Sequence, residues 1–293
     1  MAKKFIFFKK QILEIENIGE TVKALEKISA ANVHNLKITS QRITDYEKVL
    51  KKIFCDMAEK HISHPLFRKI QTPKRLKVIL TTERGLCGAL LNQLLDFFQL
   101  SLKDYYLPTR PKKDKILVIG ERGKKLLQER RIKIDYFFHG TKDIPKEEDT
   151  RKIKDFIISQ FLAKKFNQVL IFYLEFETLA IQTPTFFSFL PFDKEKFKEE
   201  MGGEIRPISG YPIYEPNQKQ IMDYLIKEYL GLVFYQKVLE TKLSELSART
   251  VAMEEAGQKA QKLINQLSRQ YFRQKRETIT KDINDLYAHR AIK

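Results

Sequence analysis

The stretch "YLGLVFYQKVLETKLSELSARTVAM", Tyr229–Met253, has the apolar spacing of one long helix. From Pro216 to the end the chain contains no further proline, and only Gly231 and Gly257 interrupt the pattern. The same apolar stripe continues on both sides of the quoted stretch, from Leu225 to Leu286. We therefore predict a helix over residues 217–293, and seventy residues of such a helix would be roughly 105 Å long.

The N-terminal segment, residues 1–64, has the same character, with no proline and only Gly19. A helix of that length extends beyond a compact domain of about 30–40 Å, so its apolar stripe needs a partner. We predict an antiparallel coiled coil of the two terminal helices. The beginning of the first helix should pack beside residues 247–267 of the C-terminal helix. The segment after His34 should pack beside Leu225–Leu246. The residues expected to face the C-terminal helix are Ile15, Ile18, Val22 and Leu25.

The spacing of that stripe is irregular, and many of its positions are polar or small. Two interpretations remain open. The paired helices are either a rod held along its length by other subunits, or a coiled coil with a poor apolar seam.

The middle segment, residues 65–216, contains all ten prolines of the chain. Short apolar runs alternate there with amphipathic stretches, which indicates strands alternating with helices. The runs "LKVILTT", "KILVIG" and "IDYFF" predict strands, and helices are expected over residues 86–107, 121–131 and 150–165. The runs "QVLIFYLEFE" and "TFFSFLPF" read as an antiparallel strand pair. The fold class is therefore α/β: a small Rossmann-like domain plus a long antiparallel coiled coil.

The formal net charge of +17 indicates an acidic partner, which could be nucleic acid, an anionic membrane surface or an acidic protein. No apolar run of about eighteen residues is present, and the short "FIFF" is not a signal-peptide core, so we expect a cytoplasmic protein without a membrane span. Cys55 and Cys87 lack metal or redox spacing and are expected to be free thiols.

The corner "ERGLCGALL" could be a phosphate loop, a reactive cysteine or a tight turn. It has neither the G-x-G-x-x-G spacing nor the Lys followed by Ser or Thr of a Walker loop, and "IGERGKKL" lacks the required gap between glycines. No histidine is near Cys87 in sequence to act as a base. The histidines form no ligand pattern. We therefore expect no active site, no cofactor and no metal.

Several motifs resemble the gamma subunit family of F-type ATP synthases. "TTERGLCGALLNQ" is similar to that family's S-T-D-R-G-L-C-G-G-L-N segment, with Glu83 for its Asp and Ala89 for its second Gly. Tyr173 and Phe176 match the family's Y-N-x-F pattern. The C-terminal helix carries the most specific matches: Tyr214-Glu215-Pro216, Tyr235-Gln236, Glu240, Ser247-Ala248-Arg249, Val251-Ala252-Met253 and Ile279-Thr280.

The resemblance implies that residues 1–64 and 217–293 form a shaft inside a ring of three alpha and three beta subunits. Residues 65–216 would form its foot, beside an epsilon-like subunit and a membrane ring. ATP would be turned over on the beta subunits, so this chain is not expected to be an enzyme. The complex would be peripheral, on the cytoplasmic face of the cell membrane. The residues implied to bind partners are Lys23, Lys27, Ile28, Arg249, Met253, Lys275, Arg276, Thr280 and Asp282.

The same resemblance implies that the corner "ERGLCGALL" is a structural turn. Gly85 and Gly88 are expected to permit a tight turn and close packing against the coiled coil, while Cys87 packs as a small apolar residue. The chain departs from the family at Lys275-Arg276, where Arg-Gln is usual, and in "EEAGQKA", Glu254–Ala260. These changes indicate a divergent partner ring.

Two alternatives remain. A specialised paralogue could use the same shaft for another task, such as gliding motility. A basic coiled-coil nucleic-acid-binding or tether protein is more distant, because the basic residues are interleaved with acids rather than with aromatics on one face.

Overall fold

The computed structural model describes residues 3–58, 64–67, 74–102, 114–192 and 215–291, and the expectation for the Cys55 thiol falls outside the described side chains. A short 3-10 helix, Pro65–Phe67, and five α-helices are present in these ranges: α1 (Lys3–Ala58), α2 (Leu90–Leu102), α3 (Glu121–Glu129), α4 (Glu147–Leu162) and α5 (Gln218–Ala291). The strands are β1 (Arg75–Leu80), β2 (Lys115–Ile119), β3 (Tyr136–Phe138), β4 (Gln168–Phe176) and β5 (Gln182–Leu190).

Two helices begin at positions different from the predicted ones, for local reasons. Helix α2 begins at Leu90 rather than near residue 86, because Leu86 and Gly88 adopt positive φ values of 70° and 59° and form a turn. Helix α4 begins at Glu147 because the Asp149 carboxylate accepts a hydrogen bond from the Lys146 N–H, 2.9 Å away. Acidic residues in the first turn also suit the positive end of the helix dipole.

The chain divides into two compact units, one made of Met1–Ala30 with Arg249–Lys293 and the other of Ala31–Ala248. This division differs from the three expected segments, 1–64, 65–216 and 217–293. The reason is that the later part of α1 and the early part of α5 pack with the sheet in one core: Leu50 of α1 and Met222, Leu225 and Leu230 of α5 belong to it.

The larger unit contains one five-stranded sheet in the order β3-β2-β1-β4-β5. Strands β3, β2, β1 and β4 are parallel, and β5 is antiparallel to β4, as predicted for that strand pair. The chain proceeds from β1 outward to β2 and β3, and then returns to place β4 on the other side of β1. The carboxyl ends of β1 and its neighbours are therefore the topological switch region, where doubly wound sheets bind ligands.

Each face of the sheet has its own core. On one face, Ile79, Val118 and Phe172 pack with the buried side of α2 and with Cys87. On the opposite face, alternate residues of the same strands pack with α4, α1 and α5; they include Val78, Leu117 and Ile171. Burial on both faces explains why these strands read as nearly continuous apolar runs in the sequence.

Within the larger unit, α1 and α5 run antiparallel. Val33 and Leu36 pack with Tyr235, Leu239, Leu243 and Leu246. Farther along α1, Glu47 accepts a hydrogen bond of 3.3 Å from the hydroxyl of Tyr229, an earlier residue of α5. The prediction that the segment after His34 lies near Leu225–Leu246 is therefore confirmed.

The smaller unit pairs the beginning of α1 with the later part of α5. A Cβ added at Gly257 would lie 3.9 Å from Val22, and one added at Gly19 would lie 3.9 Å from Ala260. Closer to the start of α1, the rings of Phe5 and Tyr271 are 6.2 Å apart. These contacts confirm the predicted antiparallel register.

One residue of the predicted seam is an exception. Ile18 is 58% exposed, so the expectation that it faces α5 is wrong. The seam position between Ile15 and Val22 is occupied by Gly19, where an added Cβ would lie 3.9 Å from Ala260, and Ile18, one residue earlier, is therefore turned away from the contact line.

The register predicts an intrachain cross-link. With Cys55 and Cys87 replaced by Ser, we expect Val22→Cys and Gly257→Cys to form a disulfide on oxidation, since a disulfide requires Cα atoms within about 7 Å. A mobility shift on non-reducing gels, with mass spectrometry of the linked peptides, would detect it. The matched control combines Ile18→Cys with Gly257→Cys, because Ile18 is exposed. Equal linking of both pairs, or of neither, would contradict the pairing.

No helix in the described ranges has the length and hydropathy needed to span a membrane. Among the same residues, no group of three or more His, Cys, Asp or Glu side chains is arranged to hold a metal ion.

Candidate partner-binding surface

The first group of predicted contact residues lies on α1 in the smaller unit. Lys23 and Lys27 are exposed and, being four residues apart, share one face of the helix. Ile28 beside them is 56% exposed. No hydrogen bond or ion pair in the described part of the chain involves either lysine, so both ammonium groups are available to a partner.

Arg249 and Met253 of α5 were also expected to bind partners, but the structure buries them. Arg249 is 5% exposed and Met253 is 6% exposed. A buried guanidinium requires partners within the fold, and Arg249 has them. These two side chains therefore offer a partner subunit little surface, which differs from the role expected for them.

The second group lies toward the end of α5, where Lys275, Arg276, Thr280 and Asp282 are all exposed. The nearest carboxylate in sequence, Glu277, is already engaged, since it accepts hydrogen bonds from Arg273 at 3.0 Å and from Gln274 at 2.8 Å. No intrachain ion pair among the described residues involves Lys275 or Arg276. Their charges are therefore uncompensated by any close partner in the chain.

The structure places these two groups at different levels of the smaller unit. Val22 lies beside Gly257, so Lys23 is at that level of α5. Lys275 is eighteen residues farther along α5, which corresponds to about 27 Å of helix. Lys23 and Lys275 therefore cannot contact the same small site on a partner.

A continuous basic strip connects the two levels. From Ala256 to Arg276, α5 carries no acidic residue, and all its basic side chains are exposed: Lys259, Lys262, Arg269, Arg273, Lys275 and Arg276. Lys259 has only a long and exposed ion pair with Glu255, at 3.6 Å. Like charges along one helix raise the local positive potential, which attracts acidic surfaces over about a Debye length of 8–10 Å.

The predicted structural turn is partly confirmed. Gly88 has a φ of 59°, which favours glycine, and Cys87 is buried with α2 and the sheet as a small apolar residue. The predicted close packing is wrong, because a Cβ added at Gly85 or Gly88 would meet nothing within 4 Å. Close approaches occur at other glycines, among them Gly120 and Gly123, where an added Cβ would overlap Thr81.

A half-buried polar cluster beside β4 was not anticipated. The Lys237 ammonium lies 3.0 Å from both oxygens of Glu240 and 4.6 Å from the centre of the Tyr173 ring. Burial by itself lowers the pKa of Lys237, but attraction to Glu240 and Tyr173 outweighs it and raises that pKa. Burial also raises the pKa of Glu240, against the attraction of Lys237. In the sequence, Tyr173 and Glu240 stand out only as motif matches, and the three-residue spacing of Lys237 and Glu240 is the signal that pairs them.

Comparison with known proteins supports one family. The family model described as ATP synthase matches residues 7–288. The chain is 28% identical over 282 residues to the "ATP synthase gamma chain" of Halothermothrix orenii, with 95% of each chain covered. It is 29% identical over 283 residues to the protein of the same name from Bdellovibrio bacteriovorus, with 94% of each chain covered.

Solved structures share the fold. A chain of the Euglena gracilis mitochondrial ATP synthase, from a structure of its OSCP/F1/c-ring in rotational state 3, matches with a TM-score of 0.65 and 15% identity, covering 98% of this chain and 94% of that one. A chain from the rotor of the same synthase matches with a TM-score of 0.62 and 16% identity, covering 95% of this chain and 100% of that one. Since the family model covers nearly the whole sequence, this chain belongs to the gamma-chain family of ATP synthases.

Proposed function

We propose that this chain is the central rotor shaft of a rotary F-type ATPase, with its smaller unit enclosed by a ring of three alpha and three beta subunits. The observation that carries this proposal is the match over about 95% of both chains to ATP synthase gamma chains. ATP turns over on the beta subunits, and this chain is not itself an enzyme. Its rotation couples that turnover to proton translocation.

The surface of the smaller unit supports an enclosed position. Large apolar side chains near the end of α5 remain exposed, among them Phe272, Ile279, Ile283 and Leu286. At the start of α1, Ile6 and Phe7 are more than half exposed. Burying one such side chain yields about 1.5–3 kcal/mol, so a surrounding sleeve of partner subunits would be stabilised by covering them.

The mechanism that fits this surface is conformational and electrostatic. An asymmetric shaft contacts each catalytic subunit differently and so favours a different state in each, while the states in turn drive the shaft. The basic strip and the exposed Lys23 and Lys27 provide charge at two levels for acidic segments of the beta subunits. Ile28, Thr280 and Asp282 would add contacts beside these charges, whereas Arg249 and Met253 would act from within the fold.

At the foot, we propose an epsilon-like subunit and a membrane ring as partners, with the complex on the cytoplasmic face of the cell membrane. A related solved structure includes F1 and a c-ring. In the specialised paralogue, the ring and shaft would be kept and a different partner would bind the foot.

Stoichiometry tests the shaft directly. In a complex purified through a tag on this chain, native mass spectrometry should find one copy with three copies of each of two ring subunits. Calorimetry on the purified chain alone should detect no tight binding of Mg-ATP. Several copies of the chain per ring would instead indicate a tether. Tight binding of Mg-ATP to the isolated chain would contradict the proposal that ATP turns over on the beta subunits. The foot partners in the same spectrum distinguish a proton-coupled complex from the paralogue.

A further inference from the structure

A buried histidine comes directly before the short 3-10 helix Pro65–Phe67. His64 is only 8% exposed. Its backbone oxygen accepts a hydrogen bond of 3.1 Å from the Phe67 N–H, and its ring nitrogen Nδ1 accepts one of 3.2 Å from the Leu66 N–H. The imidazole therefore satisfies a backbone donor of this turn that is itself buried.

These contacts determine which ring nitrogen of His64 carries the proton. A neutral imidazole has one donor nitrogen and one acceptor nitrogen. Because Nδ1 accepts from Leu66, the proton of the neutral ring is on Nε2. Nε2 lies 3.2 Å from Oδ1 of Asp223, a carboxylate of α5. The neutral ring therefore joins the turn to α5 and uses both of its nitrogens.

The same turn also holds the chain that follows β5. Leu66 is fully buried in the core of the larger unit, and its backbone oxygen accepts a hydrogen bond of 2.9 Å from the Phe192 N–H. The ring of Phe192 lies 5.5 Å from the ring of Phe67 and 5.5 Å from that of Tyr229 on α5. A change in the turn would therefore reach both the end of β5 and α5.

Protonation of the ring removes the acceptor of the Leu66 N–H. An imidazolium donates from both nitrogens, so its Nδ1–H would point at another donor, and a buried N–H without an acceptor costs free energy. Among the described residues, the charged groups that act on this ring are Asp223 and Lys227, both on α5. Burial lowers the pKa of His64, attraction to Asp223 raises it and repulsion from Lys227 lowers it again, so the pKa lies below its ordinary value. The attraction does not prevail because the Asp223 side chain is 41% exposed and water screens its charge.

We propose that His64 is a pH-sensitive latch, which holds the turn Pro65–Phe67 against α5 while its imidazole is neutral and releases the turn when the imidazole is protonated. Since the pKa is lower in the folded chain than in the unfolded one, the latch stabilises the fold fully above the ordinary histidine value of 6.5. Its contribution is lost as the pH falls through 6.5 toward the folded pKa. All of these atoms lie within the larger unit, so the latch does not depend on the proposed shaft function.

The test is an NMR titration of the full-length chain together with amide hydrogen exchange. We expect the Nε2–H tautomer of neutral His64 and a titration midpoint below 6.5. Between about pH 7.5 and about pH 5, the protection factor of the Leu66 amide should fall about threefold to tenfold, as for the loss of one hydrogen bond. Val78, a fully buried residue of β1, should keep its protection. An Nδ1–H tautomer, a midpoint at or above 6.5, or pH-independent protection of Leu66 would overturn the proposal.

Three variants separate titration of the latch from simple packing. His64→Asn retains an acceptor near the position of Nδ1 but does not ionise in this range, so the protection of Leu66 should no longer depend on pH. Asp223→Asn should lower the midpoint of His64, and Lys227→Ala should raise it, because these charges act on the ring with opposite signs. A pH dependence in His64→Asn equal to that of the wild type, or midpoint shifts of the same sign in the other two variants, would contradict the latch. If His64→Asn does not fold, the Asp223 and Lys227 variants, which keep the histidine, decide the question.

Discussion

Gly123→Ala is expected to destabilise the larger unit by about 1–3 kcal/mol, the range for forcing an extra carbon into a packed core. Gly123 is a buried residue of α3, and an added Cβ would overlap Oγ1, Cβ and Cγ2 of Thr81. Because Thr81 is β-branched, rotating its side chain only exchanges one overlapping atom for another. Its hydroxyl also donates a hydrogen bond to the Ile119 backbone oxygen, 2.7 Å away, which would be lost on displacement. The backbone must move instead.

Chemical denaturation of the full chain measures this effect. Gly85→Ala is the control, since an added Cβ there meets nothing within 4 Å, and we expect a change within about 0.5 kcal/mol. A double-mutant cycle with Thr81→Gly isolates the contact, because the cost of Gly123→Ala should largely disappear once the Thr81 side chain is absent. If Gly85→Ala and Gly123→Ala lower the free energy of unfolding equally, then the close approach of α3 to the end of β1 is not the reason for glycine at position 123.

Residue type and spacing were enough to predict the elements of the larger unit. Strands β1, β2 and β4 are apolar runs that are buried on both faces, and each is bounded by turn or polar residues, so their positions follow from the sequence. The start of α2 was missed because Leu86 adopts a left-handed conformation, which its residue type disfavours. Such a conformation depends on the loop as a whole rather than on the residue itself.

The candidate partner-binding surface was harder to predict from the sequence than the fold. Resemblance to the family motifs selects Arg249 and Lys275 equally. Whether each side chain is buried depends on how α1 and α5 pack, which the motifs do not show. Arg249 is buried and Lys275 is exposed although both are basic residues of α5. The hydrogen bonds that the Glu83 carboxylate accepts from the N–H groups of Glu121 and Gly140 could not be predicted for a related reason. They join loops that only the sheet topology brings together.

The charge of the shaft is expected to matter most at the end of α5. Replacing both Lys275 and Arg276 with Glu should lower ATP-driven rotation of the assembled complex by about tenfold or more, which corresponds to about 1.4 kcal/mol or more of lost interaction. Exposed ion pairs contribute only about 0–1 kcal/mol each, so an effect above about 2 kcal/mol for the two residues would require contacts enclosed by the ring. Charge reversal adds repulsion to the loss of attraction, and it should therefore exceed the effect of Ala at the same positions.

The stability of the chain separates this role from a structural one. Lys275 and Arg276 are exposed and make no ion pair within the described residues, so the double reversal should change the free energy of unfolding by less than about 0.5 kcal/mol per residue. Arg151→Glu with Lys152→Glu, an exposed basic pair on α4, is the matched control and should leave rotation unchanged if the effect belongs to the shaft. Raising the salt concentration should weaken the difference between wild type and the Lys275 and Arg276 variant only where solvent reaches the contact. Unchanged rotation and ATP hydrolysis in that variant would mean that these two side chains form a solvated face, and that any coupling through charge depends on other residues of the basic strip.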